Sequence, residues 1–266
     1  MKINEIRKKL EENNHLIHCI TNPISIRECA NVIISSGARP MMAQHPDEVE
    51  TITKSAGALL LNLGNLTRER EESMLLSSVC AKEYDIPAVL DLCGIAALKN
   101  RRELALSIIE KASPKIIKGN YSEIKALYDE TYKGSGVDSD KSLTEKETGE
   151  IAASLALKYN ATVLASGKKD IISDGTALYY CENGTPQMAK ITGTGCMQGA
   201  LCAAFLSVAD GMDAALWASV MFAVCGELAE TDLGNGSFEV RLLDSLSVIE
   251  SDEIEKRARL IKVMNQ

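Results

Sequence analysis

The chain has 266 residues, 45% of them hydrophobic, with 29 Lys and Arg against 37 Asp and Glu and a net charge of −8. That length buries a large core, as one α/β domain or two smaller ones. The acidic balance, with a sequence pI near 5.1, excludes a nucleic-acid groove, which needs clustered Lys and Arg to displace counterions, and makes a small molecule the expected partner.

The chain opens on "MKINEIRKKLEENN", where Ile3, Ile6 and Leu10 recur at helical spacing among charges, so the stretch reads as an amphipathic surface helix rather than a signal peptide. No 18-residue uncharged apolar run fits a membrane span. Short aliphatic runs follow at intervals: "LIHCI" (16–20), "RPMMA" (39–43), "ALLLNL" (58–63), "PAVLD" (87–91), "KIIK" (115–118) and "TVLAS" (162–166). Each has the length and composition of a buried strand. Between them, "REREESMLLSSVCAKEY" and "TEKETGEIAASLALKYN" show helical spacing with charged outer faces, as crossover helices covering a largely parallel sheet do. The loop 131–141 is the most mobile stretch by composition and is too short to divide domains. After Ser166 the texture alternates and carries Asp174-Gly175 and Asn183-Gly184, which predicts hairpins at the sheet edge. From Cys196 to about Glu230 two apolar segments flank "ADGMD" and predict a buried helix pair. No repeat or linker interrupts the chain, so 1–266 is read as a single α/β domain with helices on both faces of the sheet.

The eight cysteines are scattered without a CxxC pair, which fits reduced thiols in a cytoplasm. His15 and His18 form an HxxH, but the only other histidine is His45, and no paired cysteines complete a zinc set, so packing or surface roles are expected.

Within "KITGTGCMQGALCAAFLSVA" (190–209), a helix beginning near Cys196 presents the amides of Gly193, Thr194 and Gly195. Unpaired N–H groups and the helix dipole at such an end favour an anion, and bare glycine lets it approach. The spacing excludes a Walker loop, because Cys196 and Met197 follow Gly195 where Lys and Ser or Thr are required. It also differs from a dinucleotide G-x-G-x-x-G. The bland alternative is a tight turn feeding a core helix. Cys196 has two readings: a buried core thiol, or a thiol whose pKa the helix start lowers and a nearby phosphate raises again, a feeble base at best.

Other candidates fall at predicted strand ends, where open α/β sheets bind ligands: Asn22, Met42, Asp91, Lys118, Glu123 and Ser166. Each has a plainer role. Asn120 can cap a helix with Glu123 at N3, Asp91 can accept backbone hydrogen bonds, and Met42 can fill core. Their shared position at one sheet edge is what those plainer roles leave unexplained.

The ordered series "HCITNPIS", "GARPMMAQHPDEVE", "GALLLNLGNL", "PAVLDLCG", "IIKGNYSEI", "GVDS", "ITGTGCMQGAL" and "LGNGSFEVRLLDSL", spanning about residues 15–247, resembles hydroxyethylthiazole kinase, a family of the ribokinase-like fold. The resemblance implies transfer of the ATP γ-phosphate to the hydroxyl of 5-(2-hydroxyethyl)-4-methylthiazole with Mg²⁺, in a homotrimer. It implies Asn22, Met42 and Gly193 at the thiazole, Lys118 and Ser166 at ATP, Asp91 and Glu123 at Mg²⁺, and Gly193, Thr194, Gly195 and Cys196 as the catalytic anion hole. Three positions depart from the family pattern. "DLCG" stands where "DPVG" is usual, Lys118 where arginine is frequent, and Pro23 where a bulky residue is common. Three other readings stay open at this level: a ribokinase-like kinase for a pyrimidine alcohol or a sugar, a cysteine hydrolase, and a catalytically silent thiazole or nucleotide sensor.

Overall fold

The computed structural model describes residues 1–132, 134 and 143–263; the "GVDS" stretch lies outside them. In chain order the helices and strands are α1 (Ile3–Asn13), β1 (Leu16–Ile20), α2 (Ile26–Ser35), β2 (Arg39–Met41), α3 (Pro46–Ser55), β3 (Ala58–Asn62), α4 (Arg68–Glu83), β4 (Ala88–Asp91), α5 (Lys99–Ala112), β5 (Ile116–Asn120), α6 (Tyr121–Tyr128), α7 (Glu145–Tyr159), β6 (Thr162–Ser166), β7 (Asp170–Ser173), β8 (Leu178–Cys181), α8 (Thr194–Leu206), α9 (Gly211–Ala229), α10 (Asn235–Val248), α11 (Ser251–Arg257) and β9 (Leu260–Val263).

Among the described residues the strands form one sheet ordered β2-β1-β3-β4-β5-β6-β7-β8-β9. The first six pair in parallel, and β7, β8 and β9 extend the sheet antiparallel. All six predicted strands are present, β1 and β6 with the expected ends and the other four shifted by one or two residues. Of the predicted hairpins, Asp174-Gly175 joins β7 to β8; Asn183-Gly184 forms none, because the chain leaves the sheet there into a short 3-10 turn and β8 pairs instead with the distant β9. The chain steps from β1 outward to β2 and then back across to β3, so the strand order reverses there. Such a switch point opens a crevice at the strand C-termini.

Successive side chains of a strand point to opposite faces, and the core obeys this rule. Ala58 and Leu60 of β3, Val89 of β4, Ile116 of β5 and Leu164 of β6 join one apolar cluster with α1, α2, α8, α9 and α10. Leu59, Leu61, Leu90, Ile117 and Val163 join the other, with residues of α3 to α7. Helices therefore cover both faces. Composition alone makes α9 long and apolar enough to cross a bilayer, but most of its residues are buried in the first cluster.

The charged outer face expected of α4 has one exception. Arg70 is 2% exposed, drawn inward to the turn that follows β3.

Candidate active site

The two-residue alternation that puts Leu60, Val89 and Ile116 against α8 carries the next residues on that face, Asn62, Asp91 and Lys118, to the C-terminal ends of their strands. Register aligns them: Asn62 pairs with Asp91 and Asp91 with Lys118. Three polar side chains thus form a row across β3, β4 and β5, all three buried, under the first turns of α8. Small residues on α8 permit the contact. A side chain at Gly199 would begin 3.1 Å from Asp91 Oδ2, and one at Gly195 3.6 Å from Lys118 Nζ.

The helix begins at Thr194 with Gly193 as its N-cap, two residues before the expected start, and no side chain caps it. Gly193 has φ +91°, and a Cβ there would lie 2.8 Å from Ser25 Cβ, so both the left-handed backbone and the space require glycine. Met197 N reaches Gly193 O at 2.8 Å. The three preceding amides, of Thr194, Gly195 and Cys196, have no acceptor among the described residues. Their positive end sits over the Lys118 ammonium and carries no acidic residue in its first turn, a combination that attracts a polyanion.

Lys118 Nζ lies 3.4 Å from Asp91 Oδ2. Glu123 is the third charge. Its Oε1 accepts from Gly94 N and its Oε2 from Asn120 N, each at 2.7 Å. Asn120 Oδ1 accepts from Glu123 N at 2.9 Å, so the capping box read as the plainer role is present. Burial raises the Asp91 and Glu123 carboxyls, and the charge of Asp91 pushes Glu123 further up. Burial opposes the charge of Lys118, but Asp91 and Glu123 overcome it and hold the ammonium above the usual lysine range. Burial is the largest cause in each case, and the arrangement sets two buried carboxylates near a single ammonium, an excess of one negative charge.

That imbalance bears on a divalent cation. No group of three or more His, Cys, Asp or Glu able to hold a metal occurs among the described residues, so a fully protein-ligated ion does not fit. Asp91 and Glu123 each keep free carboxylate lone pairs, which fits a hydrated Mg²⁺ that retains most of its water.

Cys196 is 8% exposed. Burial and the Asp91 charge raise its pKa, against a hydrogen bond from Ser25, the Lys118 charge and a hydrogen bond from Asn62, so near neutral pH it is a thiol; the reading as a buried thiol, a feeble base at best, holds, and the lowering by the helix start is outweighed. No histidine activates it. His18 Nδ1 faces Thr53 Oγ1 at 2.8 Å and Nε2 faces Ala43 O at 3.0 Å, His45 caps α3, and His15 packs against Gly57. The cysteine-hydrolase reading therefore lacks its base, and the HxxH is structural.

Asn22 flanks the row. Its Oδ1 accepts from Ile24 N at 3.0 Å, and its Nδ2 lies 2.8 Å from where a Cβ on Gly64 would stand. Met42, just past the edge strand β2, packs half-buried on the cluster that contains Cys196. Ser166, opposite Asn120 in β6, donates to Gly119 O at 3.4 Å. The structure thus gathers Asp91, Lys118, Glu123, Gly195 and Cys196, brings Asn22 to their side through Gly64, and leaves Met42 and Ser166 on opposite flanks.

Two residues of this site were not singled out from sequence. Asn62 Nδ2 donates to Cys196 Sγ at 3.3 Å and its Oδ1 accepts from Gly64 N at 2.9 Å; the same amide hydrogen-bonds Asp91. Arg70 grips that turn, donating to Asn62 O (2.8 Å), Gly64 O (2.6 Å) and Asn65 O (2.8 Å). Burial, with Arg101 nearby, lowers its pKa to about 10. The only cue for Asn62 was a lone polar residue closing an aliphatic run.

Residues 7–252 match the family described as the Hydroxyethylthiazole kinase family. Hydroxyethylthiazole kinase 2 of Clostridium botulinum is 41% identical over 261 residues, covering 96% of this chain and 98% of its own length. Hydroxyethylthiazole kinase of Finegoldia magna is 40% identical over 262 residues, covering 98% and 97%. The solved structure of the hydroxyethylthiazole kinase protein from Pyrococcus horikoshii OT3 superposes with a TM-score of 0.89 at 33% identity, over 97% of this chain and 98% of that one. Pyridoxal kinase from Staphylococcus aureus in complex with AMP-PCP and pyridoxal superposes at 0.65 with 13% identity over 93% and 98%, a likeness of fold alone.

Proposed function

The chain belongs to the hydroxyethylthiazole kinase family, and from that premise we propose that it is a ribokinase-like kinase acting as one domain, which moves the γ-phosphate of ATP to the hydroxyl of 5-(2-hydroxyethyl)-4-methylthiazole for thiamine biosynthesis. The observation that carries the reading is the row Asn62–Asp91–Lys118 lying directly beneath three amides of α8 that have no internal acceptor.

Phosphoryl transfer has a loose transition state, so alignment and charge stabilisation supply most of the rate. The amides of Thr194, Gly195 and Cys196 receive the equatorial oxygens of the transferring group, and Lys118 neutralises charge from below. Asp91 and Glu123 would hold a hydrated Mg²⁺, which would shield the phosphate charge. Asn22, Met42 and Gly193 line the thiazole side, with Ser166 toward ATP. The neutral Cys196 thiol positions the alcohol and does not act as a populated base, which makes the enzyme slow, since general-base catalysis contributes about 10²- to 10⁴-fold.

A homotrimer is part of this reading. Exposed Ile24 and Ile34 around α2, Met41 on β2 and Val240 on α10 lie on elements that touch one another, next to Asn22 and Met42, so a neighbouring copy would cover the thiazole pocket. Eight free cysteines fit a reducing, cytoplasmic setting.

The test is coupled ADP release with hydroxyethylthiazole set against a pyrimidine alcohol, pyridoxal and a sugar. Preference for the thiazole by tenfold or more in kcat/KM is expected, on the order of one lost specific contact. Preference for another alcohol rejects the substrate, and nucleotide binding without ADP release rejects the enzyme.

A further inference from the structure

Asp170 begins β7, on the far side of the site from the thiazole residues, and its carboxylate joins three elements. Oδ1 accepts from Gly167 N at 3.1 Å, in the turn that follows Ser166. Oδ2 accepts from Gln198 Nε2 of α8 and from Ser219 Oγ of α9, each at 2.6 Å. Gln198 and Ser219 are themselves 5% and 0% exposed. Gln198 stands one helical turn beyond Thr194 on α8, so Asp170 is bonded to the opening turns of the helix whose leading amides have no acceptor among the described residues. The Gly167 turn is fixed from its other side as well: Tyr121 Oη donates to Lys169 O at 2.6 Å, and a Cβ on Gly167 would stand 2.6 Å from the Tyr121 ring.

No acid–base role is required of Asp170, which lies two strands beyond the row of polar residues, on β7 with β6 between. Its geometry is that of a rivet. A carboxylate accepts three hydrogen bonds at once, whereas an amide or hydroxyl in its place leaves a buried donor unmatched. We propose that Asp170 is a positioning residue for the nucleotide, locking the turn after β6 to α8 so that the surface holding ATP and the amides receiving its terminal phosphate keep a fixed separation. The role rests on the phosphotransferase reading above. Near-attack alignment is sensitive to displacements of about 1 Å, and nothing else among the described side chains links Gly167 to Gln198.

The full chain is tested by two readouts: calorimetric binding of ADP, and steady-state ADP release with ATP and hydroxyethylthiazole varied in turn. Asp170→Asn should raise the Kd for ADP and the KM for ATP by about tenfold, with the KM for hydroxyethylthiazole within about twofold of wild type. Adding Gln198→Glu reverses donor and acceptor across the same gap, with the Ser219 hydroxyl turning to accept, and should return ADP affinity to within about threefold of wild type. Ser219→Ala removes one bond and should give a smaller rise of the same kind, which keeps the proposal decidable if Asp170→Asn does not fold. Equal changes in both KM values, or a lowered melting temperature with ADP affinity unchanged in every variant, would overturn it. Wild-type protein that binds ADP but does not phosphorylate hydroxyethylthiazole rejects the substrate and still allows the positioning role to be judged by binding. Wild-type protein that binds no ADP rejects both.

Discussion

Replacing Gly195 by Ala separates the proposed chemistry from the fold. Gly195 is the second residue of α8 and is exposed, and a methyl there makes an ordinary contact, 3.6 Å from Lys118 Nζ. Alanine is the better helix former by about 0.5–1 kcal/mol, which for a chain of this size corresponds to a melting temperature higher by roughly 1–4 °C. The same methyl projects over the amides and the ammonium that are to receive the phosphate, and losing one such donor typically lowers kcat by about 10²- to 10³-fold. The expected pattern is a protein at least as stable as wild type and nearly inactive, read by thermal melting and coupled ADP release. Gly195→Ala with wild-type turnover would refute the cradle. Gly193→Ala is a poorer probe, because its φ of +91° and the 2.8 Å approach to Ser25 Cβ couple any loss of activity to strain.

Lys118→Met leaves Asp91 buried without its cation and should lower both stability, by about 3–5 kcal/mol for a broken buried pair, and turnover, while Lys118→Arg keeps the charge and should retain measurable ADP release; an inactive, fully stable Lys118→Arg would contradict the charge role. Cys196→Ala removes a neutral thiol and should cost less than about tenfold in kcat, whereas Cys196→Asp supplies a populated base and should raise it; a loss of several hundredfold in folded Cys196→Ala would make the thiol an essential participant. His18 is buried against Thr53 and Ala43 O, and burial lowers its pKa below 6.5. The unfolded chain therefore binds the extra proton first, so the stability His18 contributes is complete above about pH 6.5 and falls by up to about 1.4 kcal/mol per pH unit below it. Melting curves from pH 7.5 to 5 should be shallower for His18→Gln, and an equal slope would show that another group sets the acid limb.

Periodicity carried most of the fold. The parallel strands are aliphatic on both faces because both are covered, and such runs are visible without partners. β9 was not legible: "LIKV" is too short to stand out, and it becomes a strand only by pairing with β8. The start of α8 was placed two residues late because Thr194 and Gly195 are poor helix formers whose conformation is set by packing over Lys118. At the site, strand-end position flagged Asp91 and Lys118 correctly as neighbours, since one parallel register aligns them. Arg70 was hidden for the opposite reason: in "REREES" it has the texture of a solvated face, and only the approach of the Asn62–Asn65 turn makes it a buried clamp. For Cys196 the reading as a buried core thiol, a feeble base at best, agrees with the structure; the lowering by the helix start is outweighed by burial and by the Asp91 carboxylate, neither of which a helix start reveals.

The central claim is that the amides at the start of α8 hold the migrating phosphoryl group, and a crystal structure with AMP-PCP and hydroxyethylthiazole bound tests it most directly. Terminal phosphonate oxygens within about 3 Å of Gly195 N and Cys196 N, with Lys118 Nζ beside them, are the predicted result. A terminal phosphonate bound elsewhere, with those amides facing solvent, would contradict it.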